Sequence, residues 1–122
     1  MDTKQIAQQF MTEYYGALMG QRQNLINFYT ENSVMTYGGD VYKGVKQIAH
    51  KIESFGFEKI QYNVADFDVQ EGPNQGSLVI FCTGTLQMDN DPQYKFSQVF
   101  NLLSNGSGGF YIHNDIFRLV LG

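Results

Sequence analysis

Before Glu53 the apolar residues recur every three or four positions; from Lys59 to the end they alternate with polar ones through four successive stretches. That change of period is the strongest constraint in the chain, because spacing near 3.6 buries one face of a helix and spacing of 2 buries one face of a strand. Ile6, Phe10, Tyr14, Ala17 and Leu18 fall on one helical face, with Thr3 as the expected N-cap and Gly20 as the stop. Leu25, Ile26, Phe28 and Tyr29 suggest a shorter second helix, and Val45, Ile48, Ala49 and Ile52, with Phe55 following, a third. Lys46, His50, Lys51 and Glu53 take the solvent side of that third helix. Between these helices, Ser33 to Tyr37 and Val41 to Lys43 read as two short strands joined through Gly38-Gly39-Asp40.

The long strands follow. Ile60, Tyr62 and Val64 alternate, then the phase slips by one to Phe67 and Val69, which predicts a bulge near Ala65-Asp66. Ser77 to Met88, Tyr94 to Ser104 and Phe110 to Leu121 are the next three strands, separated by Gly72–Gly76, by Asp89-Asn90-Asp91-Pro92 and by Asn105–Gly109. Helices first and an antiparallel meander afterwards define an α+β fold. Long strands with a bulge curve, so the expected form is a cone: a curved antiparallel sheet with three helices on its concave face and a pocket at its mouth. The convex face also carries apolar residues, which a solvated face would not. Phe81, Val99 and Ile116 there are the expected contacts of a homodimer.

The 122 residues suit one domain spanning 1–122. The net charge is −4 and no basic run occurs, which argues against nucleic acid and against an acidic membrane surface, and leaves a basic protein surface as the better partner. With a single cysteine, Cys82, neither an internal disulfide nor a multi-cysteine zinc site can form. No apolar run approaches the roughly 20 residues of a membrane helix, and the residues after Met1 do not form a signal peptide. A soluble intracellular protein with no cofactor and no metal is the expectation.

Few residues invite chemistry. Asp89 and Asp91 put two carboxylates on one exposed loop, suited to gripping basic side chains; the alternative is a polar turn. The calcium-loop pattern is not continued after them. His113 and Asp115, two apart and so expected on one strand face, could combine with Tyr14 or Tyr15 as an acid/base group inside the cone, the arrangement of a small-pocket isomerase or dehydratase. The alternative is a hydrogen-bonded polar cluster. A closed pocket with a desolvated Asp115 would favour the enzyme, and a mouth ringed by Asp40, Asp89 and Asp91 would favour a binding protein. Cys82 reads as an inert buried thiol and His50 as solvated. Tyr37, Phe55, Phe57 and Ile60 all border the mouth, where they could be core or binding surface.

Several stretches together carry a resemblance: Phe10 with Tyr14-Tyr15, Tyr29, Phe57-Glu58-Lys59-Ile60-Gln61, Gly84-x-Leu86-x-x-Asp89-x-Asp91-Pro92, Phe96-x-Gln98-x-Phe100-x-Leu102 and Asn114-Asp115-x-Phe117-Arg118-Leu119. No single piece is distinctive, but in this order and spacing they resemble the nuclear transport factor 2 family nearly end to end. The resemblance implies a non-enzymatic homodimer that binds the small GTPase Ran in its GDP form and the Phe-Gly repeats of nucleoporins, moving between cytoplasm and nucleus through nuclear pores. It implies a mouth of Tyr37, Phe55, Phe57 and Ile60 that receives an aromatic side chain of Ran, with Asp89 and Asp91 on the acidic rim. Two positions depart from the family pattern. Gly38 stands after Tyr37 where the family has Glu, leaving Asp40 as the candidate substitute, and Thr3 stands where the family has an aromatic that helps hold nucleoporin repeats.

Overall fold

The computed structural model describes residues 2–120. Helix α1 (Thr3–Met19) is followed by a short 3-10 helix (Arg22–Phe28), strands β1 (Tyr29–Tyr37) and β2 (Asp40–Lys43), helix α2 (Gly44–Glu53), and strands β3 (Ile60–Glu71), β4 (Leu78–Met88), β5 (Tyr94–Ser104) and β6 (Phe110–Val120). The six strands form one sheet in the order β2-β1-β6-β5-β4-β3. The last strand was expected to run to Leu121, which lies outside the described residues.

Helix α1 starts one residue earlier than its periodicity suggests. Asp2, not Thr3, is the N-cap: its carboxylate accepts from Gln5 N at 2.8 Å, while the Gln5 side chain accepts from Asp2 N at 3.0 Å. This reciprocal box satisfies two amides of the first turn. The second helical segment is tight and ends at Phe28, so Tyr29 opens β1 instead of closing a helix. Asp40 is likewise a strand residue, paired with Tyr37 across a two-residue turn. Gly38 and Gly39 take φ values of 61° and 97°, the mirror-image turn that matches strand twist and favours glycine.

The β3–β4–β5–β6 meander is antiparallel, but β1 and β6 pair in parallel, so the sheet is mixed. After the β1–β2 hairpin the chain passes through α2 and begins β3 at the opposite edge. Three antiparallel steps, β3 to β4 to β5 to β6, then bring β6 beside β1 in the same direction. Periodicity reports which face a residue takes but not the relative direction of strands that are distant in sequence, so the parallel pair left no signal.

The predicted bulge is present: register slips between Val64 and Asp66 opposite Gly84 and Thr83. Gly84 makes this possible, because a Cβ there would collide with the Asn63 carbonyl. A second slip falls in β6, where Ile112 faces Leu102 but Asn114 faces Asn101, leaving His113 as the extra residue. The concave face buries Ile80, Cys82, Phe96, Phe100, Leu102 and Ile112 against Ala7, Phe10, Tyr14, Tyr15 and Leu18 of α1 and Ile48 and Ile52 of α2.

The structure describes no helix long and apolar enough to cross a membrane. The convex face shows a ladder in register, with Phe81 opposite Val99 and Val99 opposite Ile116. Phe81 and Ile116 are 44% and 49% exposed, unusual for large apolar side chains in the middle of a sheet.

Candidate functional site

The mouth of the cone is an aromatic wall built from two places in the chain. Tyr37 ends β1, and Phe55 and Phe57 lie in the loop that leaves α2. Tyr37 and Phe55 have ring centroids 5.4 Å apart, and Phe55 and Phe57 stack at 5.2 Å. Tyr37 also stacks on Phe117 of β6 at 4.6 Å, its register partner across the parallel pair. Phe117 in turn stacks on Phe96, so the rings run continuously from the rim into the core. Phe57 and Ile60 are buried, while Tyr37 and Phe55 are half-buried. The four residues expected at the mouth thus divide: Ile60, paired with Met88, belongs mainly to the core, and the three rings form the wall.

Two cations lie over these rings, in tertiary contacts that periodicity does not report. The Arg22 guanidinium sits 4.5 Å from the Phe57 ring centre and donates to the Glu58 carbonyl at 3.0 Å. The Lys51 ammonium lies 5.0 Å from Tyr37, 5.6 Å from Tyr42 and 5.9 Å from Phe55. Periodicity puts Lys51 on the solvent side of α2. Its stem instead folds over the rim, as long cationic side chains do on apolar surface.

Two of the three acidic residues are tied to the segments that carry these rings, Asp40 to Tyr37 and Asp89 to the stretch after Phe57. Asp40 is exposed opposite Tyr37 in the hairpin. Asp89 and Asp91 are exposed in the loop after β4. They are not equivalent. Asp89 adopts a positive φ of 51°, and its Oδ1 accepts from Glu58 N at 3.1 Å and Lys59 N at 2.9 Å. This carboxylate therefore pins the segment next to Phe57. Asp91 is engaged through its backbone, its carbonyl accepting from Gln87 Nε2 at 2.9 Å.

Inside the cone, Asp115 is 1% exposed at the centre of the sheet. It accepts from Tyr29 Oη at 2.7 Å, Gln98 Nε2 at 2.8 Å and Tyr14 Oη at 3.4 Å. Tyr15 Oη donates to Gln98 Oε1 at 2.6 Å and lies 3.2 Å from Cys82 Sγ. Burial pushes the Asp115 carboxyl up to about 6, with the three hydrogen bonds opposing the rise. Burial also raises the hydroxyls of Tyr14 and Tyr29 well above the usual tyrosine range, so they remain donors at neutral pH.

The expected pairing of His113 with Asp115 is not formed. The β6 bulge at His113 breaks the i, i+2 relation, leaving Asp115 buried, His113 half-buried and the His113 Nδ1 without a partner. Gln98 was legible as a partner, since it shares the inward parity of Phe96 and Phe100. Tyr29 was hidden by its assignment to a helix.

Asp115 is thus desolvated, as an enzymatic site would require. The void it shares with Tyr14, Met35, Tyr37, Phe55 and Phe117, however, holds only about 10 Å³, at the lower limit for one water molecule. Among the described residues, the cone interior behind the mouth is filled by its own side chains. No group of three or more His, Cys, Asp or Glu that could hold a metal ion is present among the described residues.

A domain model described as the nuclear transport factor 2 domain matches residues 6–119. Nuclear transport factor 2 of Emericella nidulans is 34% identical over 120 residues, covering 98% of this chain and 96% of the relative. The solved structure of nuclear transport factor 2 from Cryptosporidium parvum superposes with a TM-score of 0.92 at 38% identity, covering 96% of this chain and 94% of that one. The fold reaches further: a provisionally named scytalone dehydratase from Novosphingobium aromaticivorans has a TM-score of 0.82 at 10% identity, covering 97% of this chain and 84% of its own, a likeness of architecture only. The match along nearly the whole length, with the mouth motif and the meander in place, shows that this chain belongs to the nuclear transport factor 2 family.

Proposed function

We propose that the protein is a nuclear transport factor that binds Ran in its GDP form and nucleoporin Phe-Gly repeats and carries Ran into the nucleus, working as a homodimer without catalysing a reaction. The observation that carries this reading is the mouth: a continuous wall of Tyr37, Phe55 and Phe57 with Asp40 on one side and Asp89 and Asp91 on the other. Such a surface suits an aromatic side chain flanked by basic residues. The ring supplies buried apolar area, and the carboxylates supply orientation and association rate. The names of the relatives support the transport role, and the ladder Phe81–Val99–Ile116 supports the dimer.

The enzymatic alternative of the same fold has one point in its favour, the desolvated Asp115 beside two tyrosines. It has no room: about 10 Å³ admits no organic substrate, and His113 is not a partner of the carboxylate. Asp115 is better read as the centre of a structural network.

Phe57→Ala tests the carrier reading. It removes the middle of the contact between Arg22 and Phe55, and anchors of this kind commonly cost 2 kcal/mol or more on truncation, about thirtyfold in affinity. With the fold verified by circular dichroism, Ran-GDP binding should weaken by about that factor. Unchanged affinity would remove Phe57 from the site.

A further inference from the structure

The aromatic mouth is not bare. Lys51 reaches from the last turn of α2 to place its ammonium over three rings supplied by three segments, Tyr37 of β1, Tyr42 of β2 and Phe55 of the following loop. Behind these rings the cone is filled, leaving only about 10 Å³. A ring arriving from a partner therefore meets the outer side of the wall, where Lys51 already lies over Tyr37, Tyr42 and Phe55 and Arg22 over Phe57. The charge has a second consequence. The rim carboxylates suit a basic partner, yet Lys51 and Arg22 place two positive charges directly over the rings such a partner must reach.

We propose that Lys51 is a specificity-determining residue of the mouth: a built-in cationic lid that the partner's aromatic side chain displaces, so that the lid sets a threshold on which segments bind. This rests on the carrier reading above. Both physical effects act in the same direction. Displacing the ammonium forfeits its attraction to the rings, and its charge repels the basic residues that the rim attracts. Removing the lid must strengthen binding, which distinguishes Lys51 from an ordinary contact residue, whose removal weakens it. The lid also selects. A segment with an aromatic ring and enough basic charge to engage Asp40, Asp89 and Asp91 can displace it, whereas an isolated ring gains too little.

The test compares wild type with Lys51→Ala, Lys51→Gln and Lys51→Arg in binding to Ran-GDP at two ionic strengths. Exposed cation–ring contacts are worth enough to predict roughly threefold or tighter binding for the Ala and Gln variants. The Gln gain should shrink at high salt, and Lys51→Arg, which keeps a cation over the rings, should bind no tighter than wild type. Weaker binding by the Ala and Gln variants, or equal binding by all four proteins, would overturn the lid. If wild type does not bind Ran-GDP at all, the carrier reading falls separately. The lid is then tested by titrating wild type and Lys51→Ala with N-acetyl-phenylalaninamide, followed through the ring signals of Tyr37 and Phe55. The Ala variant must saturate at lower concentration, and identical curves would refute the proposal.

Discussion

Residues of one chemical type have different tasks here because of what surrounds them. Asp115 and Asp91 are both carboxylates; one is sealed in the sheet and the other lies in water. Since burial raises the Asp115 carboxyl to about 6, the folded protein holds that proton more tightly than the unfolded chain does. Its contribution to stability is therefore fully present below the unfolded value near 4 and is lost as pH rises through about 6, an effect on the order of 3 kcal/mol. Asp115→Asn lacks this term; its one amide oxygen can still accept from Tyr29, while its Nδ2 meets Gln98 only if the Gln98 amide turns its oxygen toward it. Thermal melts of both proteins from pH 4 to 7 should show the wild type losing stability relative to the variant as pH rises. Parallel curves would mean that burial does not raise the Asp115 carboxyl above its unfolded value. At the rim, Asp91→Asn removes a charge without touching the fold, whereas Asp89→Asn also disturbs the cap on Glu58 and Lys59. Asp91→Asn should slow Ran-GDP association and flatten its salt dependence, with an affinity loss of about 1 kcal/mol if the pair stays at a wet rim. Stopped-flow traces at low and high salt that match wild type would leave Asp91 as a turn residue only.

At the level of the element, the sheet's convex face carries the next prediction. Ile116 is half exposed in the single chain, so Ile116→Glu should fold. If Phe81, Val99 and Ile116 are covered by a second copy, the same change buries an unpaired charge and splits the dimer. Sedimentation at micromolar concentration should show wild-type dimer and variant monomer; a monomeric wild type would discard this face as an interface. The strands themselves were legible because alternation survives in each one, and even the β3 bulge showed as a slip from Val64 to Phe67. The β6 bulge was not, because Ile112, His113 and Asn114 carry no apolar phase change that reveals it, and the inferred His113–Asp115 pair failed with it. Tyr29 was misassigned because a tight 3-10 turn ends just before it, and Leu25, Ile26 and Phe28 imitate helical spacing.

For the whole molecule, the mixed sheet closes a path from the hairpin at Tyr37 to the loop at Asp89, so that residues far apart in sequence border one mouth. The association of Tyr37, Phe55 and Phe57 was legible through motif order. The cations of the mouth were not, since Arg22 and Lys51 act through tertiary contacts with rings that no periodicity reports. A carrier must also release its cargo, and a site built on one inserted ring and a few rim charges does so when the partner's nucleotide-dependent segment moves, because both kinds of contact are lost together. The most direct measurement is calorimetric titration of the wild-type protein with Ran loaded with GDP and, separately, with a GTP analogue. Carriage of Ran in its GDP form predicts saturable binding of that form and at least a hundredfold weaker binding of the GTP-analogue form, about 3 kcal/mol apart. Equal affinity for the two forms, or no binding of the GDP form by a folded protein, would contradict it.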